Sequence, residues 1–300
     1  MNSKQKNRRN RRRRNRMSVM EQIQRFTVQI VKVAPLLIIP VVALGIGYRA
    51  LDGYVNGEHL EASYCYSERI HYEAAFAIDA SVNISISERQ GMDFEQVMRN
   101  AFDNLPANGR LSIFSTARTN ARTVFEPVFE ICRPANTAAE QEMVGIGKLN
   151  GAQLSNLGEE AFDAYWSQVQ PIIEQLQDPL RNADDSPIIE MVRSVSRYYE
   201  TGQLDEFHIW TDGVNNSQAR RMCVVAGHLL PYSHFPKSRD YQYLRPERLD
   251  GVETYLWLVE HTKYPNAQAP HCNNNEIRDW WPAFLEDHGM RVTVDYLTHF

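Results

Sequence analysis

The stretch from Tyr72 to Ser85, reading Tyr-Glu-Ala-Ala-Phe-Ala-Ile-Asp-Ala-Ser-Val-Asn-Ile-Ser, restricts the fold more than any other part of the chain. Its first seven residues are mostly apolar and contain no Pro or Gly, which suits a strand covered on both faces. They run straight into Asp79, Ser81 and Asn83, three oxygen-bearing side chains at every second position. In an open α/β sheet the carboxyl ends of the central strands are where ligands sit, so these oxygens are expected to face a crevice.

The rest of the chain supplies partners for that strand. Residues 87–105 place Phe94, Val97, Met98, Ala101, Phe102 and Leu105 on one helical face, and Pro106 with Gly109 stops the helix. Residues 110–115 read as a second strand and 122–132 as a third that pairs with it in a hairpin. Residues 137–157 are polar and glycine-dotted and read as a loop. Phe162, Trp166, Val169, Ile173 and Leu176 mark an amphipathic helix over 159–176 despite Pro171.

Ser186 suits a helix N-cap and Pro187 the first helical position, with Ile188, Val192, Val195 and Tyr199 as the buried stripe and Gly202 as the stop. Residues 207–211 form a short apolar strand that ends in Asp212-Gly213. Residues 214–248 are less legible and combine a helix around 219–230 with aromatic loops. A strand at 252–259, a helix at 276–288 with Ile277, Trp280, Trp281 and Phe284 inward and Gly289 closing it, and a strand at 291–297 complete the pattern. Strands alternating with helices predict a doubly wound α/β domain, a mostly parallel sheet with helices on both faces. No repeat at a period of about 20 to 50 residues is present, which sets aside solenoids and propellers.

Charge divides the chain. The formal net charge is -5, yet residues 1–16 carry Lys4, Lys6 and seven arginines with no acid, so the remaining residues together carry -14. A basic cytoplasmic tail (1–25) therefore precedes an apolar segment (26–51), in which sixteen residues, 33–48, are uncharged. Sixteen helical residues span about 24 Å, short of a hydrocarbon core of about 30 Å. Lys32 can snorkel, which lets residues 26–31 count toward the span, and Pro35 and Pro40 are tolerated in lipid-spanning helices.

The expectation is one transmembrane helix, amino end inside, followed by a linker (52–69) and an exported domain (70–300), placing the protein in the cytoplasmic (inner) membrane with a periplasmic or other extracytoplasmic domain. A cleaved signal peptide and a buried soluble helix are the rival readings. The arginines suit anionic lipid beside a membrane, and nucleic-acid binding is the weaker reading.

Cys65, Cys132, Cys223 and Cys272 all follow the apolar segment, as expected of an oxidising compartment. Three connectivities are open. Pairing Cys65 with Cys132 and Cys223 with Cys272 keeps each bridge within one half of the exported region, and free buried thiols are the alternative. No Cys-x-x-Cys pair is present, and His228, His234 and His271 lack zinc spacing. Residues 145–148, Gly-Ile-Gly-Lys, lack the flanking residues of a phosphate-binding loop.

Three polar sites thus lie in order at strand or helix boundaries: Asp79-Ala-Ser81-Val-Asn83, Ser186, and Asp212-Gly213. In this the chain resembles the von Willebrand factor A (vWA) domain and its metal-ion-dependent adhesion site, over roughly residues 68–300. That family carries Asp-x-Ser-x-Ser after its first strand, a Thr before a helix, and an Asp, often followed by Gly, after its fourth strand. Asp79, Ser81 and Asp212 match directly. Asn83 stands where the family has its second Ser, and Ser186 where it has Thr, both keeping an oxygen donor.

The resemblance implies a Mg²⁺ (or Mn²⁺) site held by Asp79, Ser81, Asn83, Ser186 and Asp212. Mg²⁺ takes about six hard oxygens and keeps several waters. With only two of these ligands charged, the ion would accept one more carboxylate from a protein partner, a recognition device with no bond-making step. Asp184 and Asp185 would then complement the helix dipole or support the ligands. No nucleophile beside a base is evident. Two other readings use the same residues differently: a metal-assisted phosphoester hydrolase built on Asp79 and Asp212, and a metal-free structural subunit of an envelope complex.

Overall fold

The computed structural model describes residues 62–66, 70–80, 86–116, 126–145, 149–177, 185–199, 203–223, 228–259 and 272–297, all within one compact unit, Leu60–Phe300. The predicted basic tail, the apolar segment 26–51, Ser81, Asn83 and Asp184 lie outside the described residues. Among the described residues no helix is long and apolar enough to cross a membrane.

The described strands are β1 (Glu73–Ile78), β2 (Arg110–Ser115), β3 (Phe129–Cys132), β4 (Glu206–Thr211), β5 (Glu253–Val259) and β6 (Arg291–Leu297). They form one six-stranded sheet in the order β3-β2-β1-β4-β5-β6. Only β3 runs antiparallel, against β2; the β1–β2, β1–β4, β4–β5 and β5–β6 pairs are parallel.

Alternation along β1 divides the interior into two layers. Ala74, Phe76 and Ile78 pack toward helices α1 (Glu88–Asp103) and, beyond a short α2 (Ala138–Val144), α3 (Gly151–Gln177). Ala75 and Ala77 pack toward α4 (Ile188–Tyr198) and, past the short α5 (Tyr241–Leu244), α6 (Asn274–Asp287). Helices therefore cover both faces, as the alternation of strands and helices predicts. Trp280 and Trp281 are core residues. Both predicted bridges form, Cys65–Cys132 and Cys223–Cys272.

Three local expectations are corrected. Residues 137–157 are not a continuous loop, because cap chemistry starts two helices there. Thr137 Oγ1 accepts from the Glu140 amide at 3.2 Å, and α2 ends at Gly145, whose φ of 72° suits glycine. Asn150 and Gln153 then accept from each other's amides at 3.0 Å, so α3 begins well before the apolar periodicity does.

The helix expected around 219–230 is absent among its described residues. Side chains there bond locally instead: Asn215 Nδ2 donates to the Arg220 carbonyl at 2.8 Å, and the Arg220 amide donates to Ser217 Oγ at 3.0 Å. A 3₁₀ turn, Tyr232–Lys237, follows.

The third correction concerns Ser186, which is not the N-cap. The cap position of α4 is Pro187, and the Ser186 backbone forms an antiparallel bridge with Asn216. That bridge draws Ser186 away from the helix end and frees its hydroxyl for another partner.

Candidate functional site

The order of strand addition switches sides between β1 and β4, with β2 and β3 on one side and β5 and β6 on the other, and a ligand crevice belongs outside the carboxyl ends of strands at such a point. Asp79 lies there, immediately after β1. Its amide extends the parallel ladder by donating to the Trp210 carbonyl at 2.8 Å, so its position is set by the sheet.

The Asp79 carboxylate is fully buried and gathers hydroxyls from three separate segments. Ser186 Oγ and Thr211 Oγ1 each donate to Oδ2 at 2.8 Å. Thr116 Oγ1 stands 3.4 Å from Oδ1 and also accepts from the Ala80 amide at 2.8 Å. Thr116 follows β2 and Thr211 ends β4, so the strands on either side of β1 each supply one hydroxyl. Hydroxyls arriving from three segments define the position of this carboxyl group tightly.

Asp212 is also buried, and its Oδ1 accepts from the Val214 amide at 2.8 Å. It follows Thr211, whose Oγ1 accepts from the Gly213 amide at 2.9 Å while donating to Asp79. Gly213 has φ 77°, and a Cβ there would lie 2.5 Å from Ile277 Cγ2 and 2.9 Å from Trp281 Nε1. Trp281 Nε1 donates to the Gly213 carbonyl at 2.8 Å, which clamps this turn onto α6. Glycine is therefore required after Asp212 both by conformation and by close approach.

The start of α4 is held from outside the helix. Asn215, fully buried, accepts from the Ile189 amide through Oδ1 at 2.9 Å, which satisfies an orphan donor that no N-cap side chain reaches. Glu190, in the same first turn, has its carboxyl pKa raised: burial outweighs the hydrogen bonds from Ser217 and Asn215 that favour its charge.

Of the sequence-predicted ligands, the structure brings Asp79 and Ser186 into direct contact and ties Asp79 to Thr211, the neighbour of Asp212. Ser81 and Asn83 lie outside the described residues, and Asp185 is exposed. Thr116, Thr211 and Asn215 were not anticipated. For the two threonines a signal exists: each is a hydroxyl at the carboxyl end of a strand adjacent to β1, at the level of Asp79. Asn215 has no such signature.

No group of three or more His, Cys, Asp or Glu side chains among the described residues is arranged to hold a metal ion. The oxygens that meet here are of another kind, one carboxyl group with neutral hydroxyls. All of these are oxygen donors, the type of ligand that a hard cation prefers.

No protein-family profile matches the chain and no curated protein matches it. Among solved structures it is similar to the crystal structure of the conserved hypothetical protein BatB from Bacteroides thetaiotaomicron, with a TM-score of 0.37 and 11% identity, covering 77% of this chain and 92% of that one. A likeness at that level fixes neither fold family nor function.

Proposed function

We propose that the chain is a membrane-anchored vWA-like module that binds a protein partner outside the cytoplasm through a divalent cation. Asp79, Ser81, Asn83, Ser186 and Asp212 would hold Mg²⁺ or Mn²⁺, and the ion would supply Lewis acidity toward a carboxylate of the partner. The tail 1–25 stays in the cytoplasm near anionic lipid, 26–51 spans the membrane, and 52–69 links the span to the domain. The observation that carries the reading is the convergence of Ser186 and Thr211 on one oxygen of a fully buried Asp79, at the point where strand addition switches sides.

The same convergence favours a second reading. Hydroxyl donors satisfy much of the carboxylate's bonding capacity without any ion, which suits a metal-free structural subunit. Melting the full detergent-solubilised chain against rising Mg²⁺ or Mn²⁺ separates the two. Metal binding predicts a melting temperature that climbs with free ion and a climb that is lost in Ser186→Ala and Asp79→Ala. A flat response in the native chain overturns the adhesion reading and leaves the scaffold.

A further inference from the structure

β6 is the last strand of the sheet, and among the described strands only β5 pairs with it. It reads Arg-Val-Thr-Val-Asp-Tyr-Leu, a β-branched stretch of seven residues, longer than β3 at the opposite edge. An edge of this kind presents unpaired backbone groups to a further strand. The Arg291 amide donates to the Val252 carbonyl at 2.9 Å, so the odd residues of β6 bond inward to β5. By strand alternation the backbone groups of Val292, Val294 and Tyr296 point outward.

The side chains select an occupant. Arg291, Thr293 and Asp295 are exposed on one face of β6, and Val292 and Val294 lie on the other, half-buried against the core beside α6. When two copies of this strand are placed antiparallel about a two-fold axis at Thr293, each Arg291 faces the partner's Asp295. Each Val292 faces the partner's Val294, and the two threonines meet on the axis. Moving the axis to Val294 instead sets Arg291 against Leu297 and loses both charge pairs.

Arg291 Nη2 donates to the Gly251 carbonyl at 2.9 Å and Nη1 stands 3.0 Å from Glu253, both on the β5 side, while its side chain stays 68% exposed, so the guanidinium, with its five N–H donors, can be shared with a second carboxylate from across the edge. The axis at Thr293 also agrees with the backbone. Outward-bonding Val292 and Val294 form the hydrogen-bonded pairs, and Thr293 forms the close, non-hydrogen-bonded pair.

We propose that β6 is a self-association edge, at which two copies of the chain join antiparallel about Thr293 into one continuous sheet, with register set by reciprocal Arg291–Asp295 pairs. Opposite-charge and Thr–Thr pairs are favourable across antiparallel strands, and like charges directly opposite are unfavourable.

The test is disulfide trapping of the full chain in detergent. Thr293→Cys places two thiols across a non-hydrogen-bonded pair, with Cα atoms about 4.5 Å apart and within bridging range. Among the described residues the native cysteines are all paired, so background is low. Under copper–phenanthroline oxidation a covalent homodimer is expected.

On the Thr293→Cys background, Arg291→Asp or Asp295→Arg alone is expected to lower the dimer yield about tenfold. Mixing the two variants regenerates opposite charges at both positions and is expected to restore a heterodimer. Arg291→Asp also removes contacts to Gly251, so Asp295→Arg carries the result if the former fails to fold. A folded Thr293→Cys chain that stays monomeric, one trapped on a different protein, or a yield indifferent to the charge changes overturns the proposal.

Discussion

Ser186 Oγ donates to Asp79 Oδ2 across 2.8 Å and 107 positions of sequence. This bond ties the segment before α4 to the end of β1 and closes the polar cluster at the centre of the sheet's carboxyl edge. It makes the cluster a structural element as well as a candidate site.

Removing a donor from the cluster is expected to cost stability without any metal. Thr211→Val, nearly isosteric, and Ser186→Ala should each destabilise the chain by about 1–2 kcal/mol, and Asp79→Ala, which strands several hydroxyls, by about 3–5 kcal/mol. Urea unfolding in chelator measures these values. Because both hydroxyls serve one oxygen, Ser186→Ala and Thr211→Val together are expected to be non-additive.

Asn215 anchors α4 through the Ile189 amide from outside the helix, so Asn215→Ala leaves a buried donor unsatisfied. A loss of about 1–3 kcal/mol is expected, with faster amide exchange at Ile189 than in the native chain. Unchanged exchange there would mean that the helix start is held by other contacts.

Glu190 predicts a pH dependence. Burial raises its folded-state pKa above the unfolded value of about 4.3, so the folded state holds the proton more tightly and its charge opposes folding. The penalty is absent below the unfolded pKa, grows as pH rises through the folded pKa, and is constant above it. Glu190→Gln should therefore raise the melting temperature at pH 7 and give no gain near pH 3. Melting curves across that range decide it.

The bridges Cys65–Cys132 and Cys223–Cys272 close separations of 67 and 49 residues. Loop entropy assigns about 4 kcal/mol to each. Replacing either pair by serine should lower the melting temperature by roughly 8–16 °C, measured by circular dichroism.

Much of the fold was legible because burial on a sheet or a helix stripe leaves a periodic trace. β2 at 110–115 and β6 at 291–297 emerge with the expected bounds, and the capping box of Ser87 and Gln90 starts α1 where the sequence places it. Elements begun by cap chemistry, as at Thr137 and Asn150, were harder, since their signal is one or two polar residues. The loop 214–223 was hardest. Its side chains outcompete helical hydrogen bonding, a balance that local propensity does not settle.

The sequence by itself determined the alternation of strands and helices, and it singled out Asp79, Ser186 and Asp212 as polar residues at element ends. The tertiary structure decided which oxygens meet. Parallel pairing of β1 with both β2 and β4 brings Thr116 and Thr211 beside Asp79, and the Ser186–Asn216 bridge turns a serine suited to capping into a donor to that carboxylate. Local periodicity reports which face of an element is buried, whereas contact between residues more than a hundred positions apart depends on strand order and register. Those are properties of the assembled sheet.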